Sequence, residues 1–525
     1  MATSSNVEAE RKFDVDPSTP LPTLEKIDGV ARVGEPVTHS LEAVYFDTSD
    51  LALAARGMTL RRRTGGPDAG WHLKLPHSPG RRTEIHAPLG QADTVPVELM
   101  DRVLAYTRGH AVVAVATLNT ERTSYPLYQD DGGRVAEFVD DHVRALVSVG
   151  DSVSLGNPTE QDPSEQRPSE QQWREWEVEL NGSGHADKGD DILDAVAAQL
   201  TQAGASPSER TSKLATALGD SWPRAKGAGR EVPSRKGPAV VPVLNYLDAQ
   251  VAKLLLQDAH VRMNRDDSVH KMRSLTRRIR SVLHSYRKLF KGSPVKELEL
   301  ELKSLASTLG RYRDVEVLHE RLRKDVEELP MKLVLGPLHA ELDERMKVRA
   351  DTAMAAIRTR LNSPRYFRLL DGLEAFLDSP AIAPQGTGPA RKTTAKLVNK
   401  ASKRLTKRHD AAVGAAVGPS RDTAFHNVRK TAKKLRFAAA TAESVHGKRA
   451  AKLADAVHDV QTILGEHQDS AMARAELLKL GSASGAGNSA FTYGLLHAAE
   501  RAKADAAQQE YLRGGKKARK LRLKK

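Results

Sequence analysis

Three charged side chains two residues apart restrict what the start of this chain can become. Glu8, Glu10 and Lys12 stand in the run VEAERKF at 7–13. On a β-strand, residues i, i+2 and i+4 project to one face. Two carboxylates and one ammonium would then line a single surface. The same period returns at Arg61 and Arg63, and again at Glu175, Glu177 and Glu179. A core-facing strand face is apolar. Strands whose shared face carries charges of both signs therefore predict a closed barrel with a polar lumen. Such a lumen could hold an anion against its cations and a metal against its carboxylates. The competing reading is a solvated strand face with cross-strand salt bridges, and the recurrence in three strands of one region weighs against it.

The charge balance divides the chain. Residues 1–220 hold 21 Lys and Arg against 35 Asp and Glu, a net charge of −14. Residues 221–525 hold 60 against 32, a net charge of +28. A basic region of that size usually meets a polyanion. With 525 residues, two or three domains are expected. The absence of cysteine excludes disulfides, thiol catalysis and Cys-ligated metal. The N-terminus lacks the pattern of a signal peptide, and no run of roughly 18 apolar residues occurs, so a soluble cytoplasmic protein with no membrane partner is expected.

Residues 1–218 read as mostly β, with short alternating segments at 43–46, 71–75, 134–139 and 176–180 separated by Gly-rich turns. The Pro-, Glu-, Gln- and Ser-rich stretch 156–172 reads as a mobile loop. A helix is expected from about 190 to 203. Residues 219–238 carry Pro, Gly and Lys without an apolar period and read as an interdomain linker. From 239 to 508 the pattern is helical and internally repeated. VHKMRSLTRRIR at 269–280 matches FHNVRKTAKKLR at 425–436, and LGRYRD at 309–314 matches LGEHQD at 464–469. The repeat predicts a duplicated helical unit, with copies at about 240–378 and 395–508 and a seam at the Pro/Gly-rich stretch 379–389. The last residues, 509–525, read as a basic tail that is disordered when free.

The ordered set of motifs in the first 220 residues resembles the CYTH domain, the triphosphate tunnel metalloenzymes. The likeness rests on Glu8, Glu10 and Lys12, on YFDT at 45–48, on Arg61 and Arg63, on Lys74 and on Arg122. VDD at 139–141, the Glu175–Glu177–Glu179 run and Ser212–Lys213 complete it. It implies an eight-stranded antiparallel tunnel barrel. By position, Lys12, Arg61, Arg63, Lys74, Arg122 and Lys213 would hold phosphate, with Arg82 and Glu84 as a further basic–acidic pair. Glu8, Glu10, Asp140, Glu177 and Glu179 would hold Mg²⁺ or Mn²⁺. Asp140 and Asp141 are adjacent, so one of them must face outward. Which of Glu175, Glu177 and Glu179 bind metal stays open. Glu8, Glu10 and Lys12 would be the catalytic set.

On a helix, positions 270, 273, 277 and 280 fall within roughly 80°. His270, Arg273, Arg277 and Arg280 thus form one basic stripe, and His426, Arg429, Lys433 and Arg436 form a second. A solvated face is the ordinary reading of such a stripe, and its repetition behind a histidine argues for binding. Aromatic residues make up only 4% of the chain. Single-stranded nucleic acid is read by aromatic stacking, so a ligand with charge but no bases fits better. The region resembles the CHAD domain, the conserved-histidine α-helical domain. It implies two pseudo-symmetric four-helix bundles whose stripes face a shared surface binding inorganic polyphosphate, with Arg313 as a further ligand. Gln468 replaces that arginine in the second copy.

The expected protein is a metal-dependent inorganic triphosphatase that binds triphosphate in the barrel and polyphosphate on the helices, with possible association to polyphosphate granules. The alternatives are a thiamine triphosphatase or nucleotide cyclase on the same fold, or a non-enzymatic polyphosphate binder.

Overall fold

A computed structural model describes residues 3–25, 27–78, 81–92, 94–148, 169–180, 186–224, 230–483, 488–514 and 520–524. The chain forms two compact units, 1–228 and 229–525.

The first unit is a closed antiparallel barrel of eight strands. They are β1 (Ser4–Val15), β3 (Val37–Asp47), β4 (Thr59–Thr64), β5 (Gly70–Ser78), β6 (Arg81–Ala87), β7 (Val113–Tyr128), β8 (Arg134–Val147) and β9 (Ser169–Leu180). The short β2 (Arg32–Val33) pairs with β7, and β10 (Ser206–Pro207) with β1. Around the barrel the order is β1-β6-β5-β4-β3-β7-β8-β9, and β1 closes it. Its first half, Ser4–Ala9, pairs with β6, and its second half, Glu10–Val15, pairs with β9. Three helices accompany the strands: α1 (Val97–Thr107), α2 (Ala186–Gln202) and α3 (Lys213–Leu218).

The polarity is inverted relative to an ordinary small barrel, because on β1, β8 and β9 the large aromatic side chains face outward and the charged ones inward. Phe13, Phe138, Trp176 and Val178 pack outside the barrel against Ile192, Leu193, Val196 and Leu200 of α2. A second cluster joins Leu118, Val143, Ala145 and Val147 to Leu214, Ala217 and Leu218 of α3. α2 thus covers outer strand surface, whereas Leu118, Val143 and Ala145 share the parity of the charged Arg122 and Asp141, so α3 packs on the inward face beyond the charged residues. Residues 156–168 of the expected loop lie outside the described residues, whereas 169–172 are paired strand in β9.

The second unit is all-helical, with two arrays in sequence. α4 (Val241–Arg262), α5 (Ser268–Tyr286), α6 (Pro294–Glu327) and α7 (Leu338–Leu361) are followed by α8 (Pro364–Asp378). α9 (Ala390–Val413), α10 (Pro419–Thr441), α12 (Lys448–Ala483) and α13 (Asn488–Gly514) repeat the first four, with the single turn α11 (Glu443–His446) between α10 and α12. α5 packs on α10 across the repeat. The long helices α6 and α12 carry the copies past each other into a joint core, in which Leu318, Leu322 and Leu342 meet Leu477, Leu480 and Tyr493. No described helix is long and apolar enough to cross a membrane.

Two stretches read as unstructured are tied into this unit. Arg230 donates to Leu377 O at 3.0 Å and to Asp248 at 3.1 Å, and Ala239 N donates to Gly388 O at 3.0 Å. Residues 230–238 are therefore anchored at the seam between the copies. The end of the basic tail also docks. Leu523 is buried, and its backbone exchanges hydrogen bonds with the Asn399 side chain of α9, both at 2.9 Å. A leucine in a run of cations supplies the apolar contact that charge counting overlooks.

Trp176 is fully buried, meets Phe138 edge-on at 5.6 Å between centroids and donates to Asp140 Oδ1 at 3.1 Å. Trp176→Ala should lower unfolding stability by about 3–5 kcal/mol. Urea unfolding of the full chain followed by circular dichroism measures this, and an unchanged midpoint would show that α2 does not depend on that contact.

Candidate functional site

Strand parity delivers the charged residues to one lumen of about 480 Å³. β1 contributes Glu8, Glu10 and Lys12. Arg61 and Arg63 come from β4, Lys74 from β5, Arg82 and Glu84 from β6, and Arg122 from β7. Glu137 of β8 and Glu177 and Glu179 of β9 line the opposite wall. Lys213 enters from the first turn of α3, which Ser212 caps by accepting from Ala215 N at 3.1 Å.

Most of these charges are mutually satisfied. Lys213 Nζ lies 2.8 Å from Asp141 and 2.7 Å from both Glu175 and Glu177. Arg122 grips Asp141 through two bonds, at 2.8 and 2.6 Å, and reaches Glu177 at 2.9 Å. Lys12 bonds Glu177 and stands 3.4 Å from Glu10. Lys74 donates to Glu8 at 2.6 Å. Buried His72 bridges Glu84, at 3.0 Å, and the backbone oxygen of Asp68, also at 3.0 Å. Arg61 donates to the Tyr45 hydroxyl at 3.2 Å, and Arg63 pairs with Asp68.

The charges do not cancel evenly. The buried Nε atoms of Arg61 and Arg63 have no hydrogen-bond partner. Burial, with Arg61 and Arg122 close by, lowers Arg63 to about 9. Burial also lowers Lys12 to about 8. The Arg61–Arg63 wall is therefore short of negative charge. On β1 the balance reverses. Burial raises Glu8 to about 8 against the pull of Lys74, and the neighbouring Glu84 and Glu179 add to the rise. Burial alone would raise Glu10 as well, but Lys12, Lys74, Arg82 and Lys213 outweigh it and hold Glu10 ionised. A wall with unsatisfied guanidinium donors thus faces Glu8, whose charge burial and the neighbouring Glu84 and Glu179 disfavour.

One expected ligand is displaced. Asp140 shares the parity of Phe138 and faces outward, where Arg174 grips it at 2.8 and 2.9 Å. Asp141 shares the parity of Glu137 and takes the lumen position instead. The apolar residue beside the aspartates carried that signal, because Phe138 had to enter the core. The buried acidic group with ligand atoms mutually within 4.8 Å is Asp141, Glu175 and Glu177, and the Lys213 ammonium is bonded to all three. The carboxylates that face the cavity outside this cluster are Glu8, Glu10, Glu137 and Glu179. Tyr45, Asp68 and Glu137 were not singled out as site residues, since none belongs to a run of like charge.

In the helical unit the two stripes converge. Burial lowers Lys433 to about 6, with Arg277, Arg429 and Arg273 as the opposing cations. Burial likewise lowers Arg277 to about 10, beside Arg273, Arg429 and Arg280. His270 and His426 are both lowered by burial, His270 next to Arg313 and His426 next to Lys430. The second echo now has a physical meaning. A Cβ at Gly310 would stand 3.4 Å from the Arg273 guanidinium, and one at Gly465 would stand 3.3 Å from that of Arg429. Each glycine leaves the space that its arginine fills. Asp314 pairs with Arg273 at 3.1 Å, and Asp469 attracts Arg429. Gln468 bonds His426, as the neighbour of a histidine that Arg313 accompanies in the first copy. Arg436 departs from the stripe and stands beside Arg278 and Tyr246.

Comparison with known proteins covers both units. The family model for the CYTH domain matches residues 6–211, and that for the CHAD domain matches residues 245–478. CYTH domains are triphosphate tunnel metalloenzymes that use divalent metals, and the two domain types are associated in general with triphosphate and polyphosphate binding. An uncharacterized protein of Mycobacterium tuberculosis, in strains CDC 1551 and H37Rv, is 40% identical over 515 residues, covering 96% of this chain and 95% of its own. Similar solved structures include PptA from Streptomyces chartreusis, at 20% identity and TM-score 0.44 over 53% of this chain and 99% of its own. The CHAD domain from the plant Ricinus communis is 20% identical with TM-score 0.45, over 56% of this chain and 96% of its own.

Lys213→Ala should leave Asp141, Glu175 and Glu177 without their ammonium and so create demand for a divalent cation. The variant is expected to bind one more Mn²⁺ per chain than the parent by isothermal titration. Equal stoichiometry would mean that Lys213 is not what satisfies the cluster.

Proposed function

For this chain, which belongs to the CYTH–CHAD fusion proteins, we propose that the barrel hydrolyses inorganic triphosphate or a related triphosphate with a divalent metal, while the helical unit holds polyphosphate. The observation that carries the first half is the polarised lumen, with unpartnered guanidinium atoms on Arg61 and Arg63 opposite the Glu8–Glu10–Glu179 carboxylates. Arginine forks match phosphate oxygens in two-point contacts. Arg61, Arg63, Lys74, Arg82 and Arg122 would seat the phosphate chain along one wall.

Carboxylate oxygens are the donors that Mg²⁺ and Mn²⁺ prefer, so the residues present fit such an ion. Glu8, Glu10 and Glu179 would hold it, and when bound it supplies charge neutralisation and an acidified water. Lys12 keeps Glu10 ionised and turned to the lumen. Lys213 and Arg122 keep Asp141, Glu175 and Glu177 out of competition for the ion. Tyr45 is the one aromatic side chain among the described lining residues, and it is engaged by Arg61. That leaves little to recognise a nucleobase or a thiazole and favours an inorganic substrate.

The deciding assay is phosphate release from triphosphate, long polyphosphate, ATP and thiamine triphosphate, each with Mg²⁺ or Mn²⁺. Glu10→Gln should lower turnover by about 10²-fold or more without unfolding the protein, because it removes both metal affinity and transition-state neutralisation. Normal activity in a folded variant would sink this mechanism.

The convergent stripes support the second half of the reading. Changing Arg273, Arg277 and Arg429 together to Ala should abolish polyphosphate capture and leave triphosphate turnover nearly unchanged. Each such contact contributes about 1.5–3 kcal/mol. Loss of turnover in a folded variant would place part of the active site on the helices. Lys433 is neutral above about pH 6 in the free protein, and a bound polyanion favours its ammonium. Binding should therefore take up a proton near pH 7, and affinity should rise as pH falls toward 6. Calorimetry in buffers of different ionisation enthalpy reads the proton directly.

A further inference from the structure

The two stripes are related by the repeat, but their surroundings are not. Beyond Arg277 and Arg280, α5 continues to His284, and the short turn after it carries Arg287 and Lys288. Arg280 and His284 share a cavity of about 400 Å³ with Lys430, Lys433 and Lys434 of α10. His284 and Lys434 also line a second, adjoining hollow, whose other wall is Lys400 and Arg404 of α9. The two hollows are thus one continuous path. Arg287, Lys288, Lys400, Arg404, Lys430 and Lys434 are exposed along it. No ion pair engages any of these six cations among the described residues. The one acid on the path is Glu299, 3.1 Å from His284. Lys434 is lowered by burial and by Arg280, Arg404 and Arg287, which places these cations within each other's field.

The cations at the repeat-related positions, Arg278 and Arg436, are engaged instead. Arg278 donates to Gln250 Oε1 of α4 at 2.9 Å and lies 5.4 Å over the Phe437 ring. Arg436 lies 5.8 Å over the same ring. The flanking helix differs as well. α9 carries eight basic residues and one acidic residue, whereas α4, its repeat partner, carries two of each.

We infer that long-chain inorganic polyphosphate leaves the central stripe on one side only, along a basic track formed by α5, α9 and α10 from Arg280 and Lys434 to Arg287, Lys400 and Arg404. This rests on the polyphosphate reading of the helical unit and assigns that ligand a direction. An unpaired row of exposed cations gains counterion-release energy from every phosphate it meets, so a longer chain binds more tightly for each cation it reaches. Phe437 is the one aromatic among the described lining residues of the two hollows, so bases would find little to stack on.

The test uses the full chain and long-chain polyphosphate, with affinity measured at several salt concentrations. The triple variant Arg287→Ala, Lys400→Ala and Arg404→Ala should bind about tenfold more weakly and with a shallower salt dependence. The charge-preserving triple variant Arg287→Lys, Lys400→Arg and Arg404→Lys should bind like the parent, which separates charge from packing. Parental affinity and salt slope in the alanine variant would overturn the track while leaving the central stripe as the site. Single-stranded DNA of similar length binding the parent as tightly, and losing as much in the alanine variant, would also overturn it. A parent that binds no polyphosphate would remove the helical-unit reading itself.

Discussion

The barrel depends on Lys213. Three carboxylates from two adjacent strands, Asp141, Glu175 and Glu177, are buried within reach of one ammonium. Each of them alone would carry a large desolvation cost in that position. The ammonium and the Arg122 fork offset it, and so let β8 and β9 run side by side with like charges facing inward. Because α3 delivers Lys213, the helix that packs on the apolar end of the inward face also neutralises the charged part of that face.

The pairing also sorts the carboxylates by role. Those bound to Lys213 and Arg122 are held by the protein's own cations. Glu8, on β1, instead has Glu84 and Glu179 disfavouring its charge, a repulsion that an external cation would relieve. The guanidinium wall of Arg61 and Arg63 has the opposite deficit. A lumen with both charges on its walls suits a ligand that carries both signs, which is the basis of the proposed reading.

The helical unit meets a different constraint. Its cations crowd together with few acids between them, and burial, then the neighbouring arginines, lowers Lys433 to about 6. Like charge held at close range is unfavourable until a polyanion arrives. The glycines at 310 and 465 show how closely the arrangement is packed, since each clears room for one arginine. The joint core of α6, α7, α12 and α13 supplies the rigidity that holds the stripes together.

Much of this was legible in the residues alone. Charges at strand period in VEAERKF and WREWEVEL point to a polar lumen, because a two-residue period assigns every side chain to a face. The repeated His-x-x-Arg stripes and the L-G-x-x-x-D echo mark a duplicated helical unit for the same kind of reason at helical period. Periodicity, however, gives a face and not a partner. Only the folded barrel shows that Asp141 and not Asp140 looks inward, because register is settled by which aromatic must enter the core. That Arg174 neutralises the outward Asp140 depends on neighbouring strands brought together across 34 positions of sequence. The docking of Leu523 on α9, and the one-sided path from the stripe across Lys400 and Arg404, follow from long-range packing of the two copies. A repeat in sequence implies symmetry, and only the tertiary structure decides where the symmetry is broken.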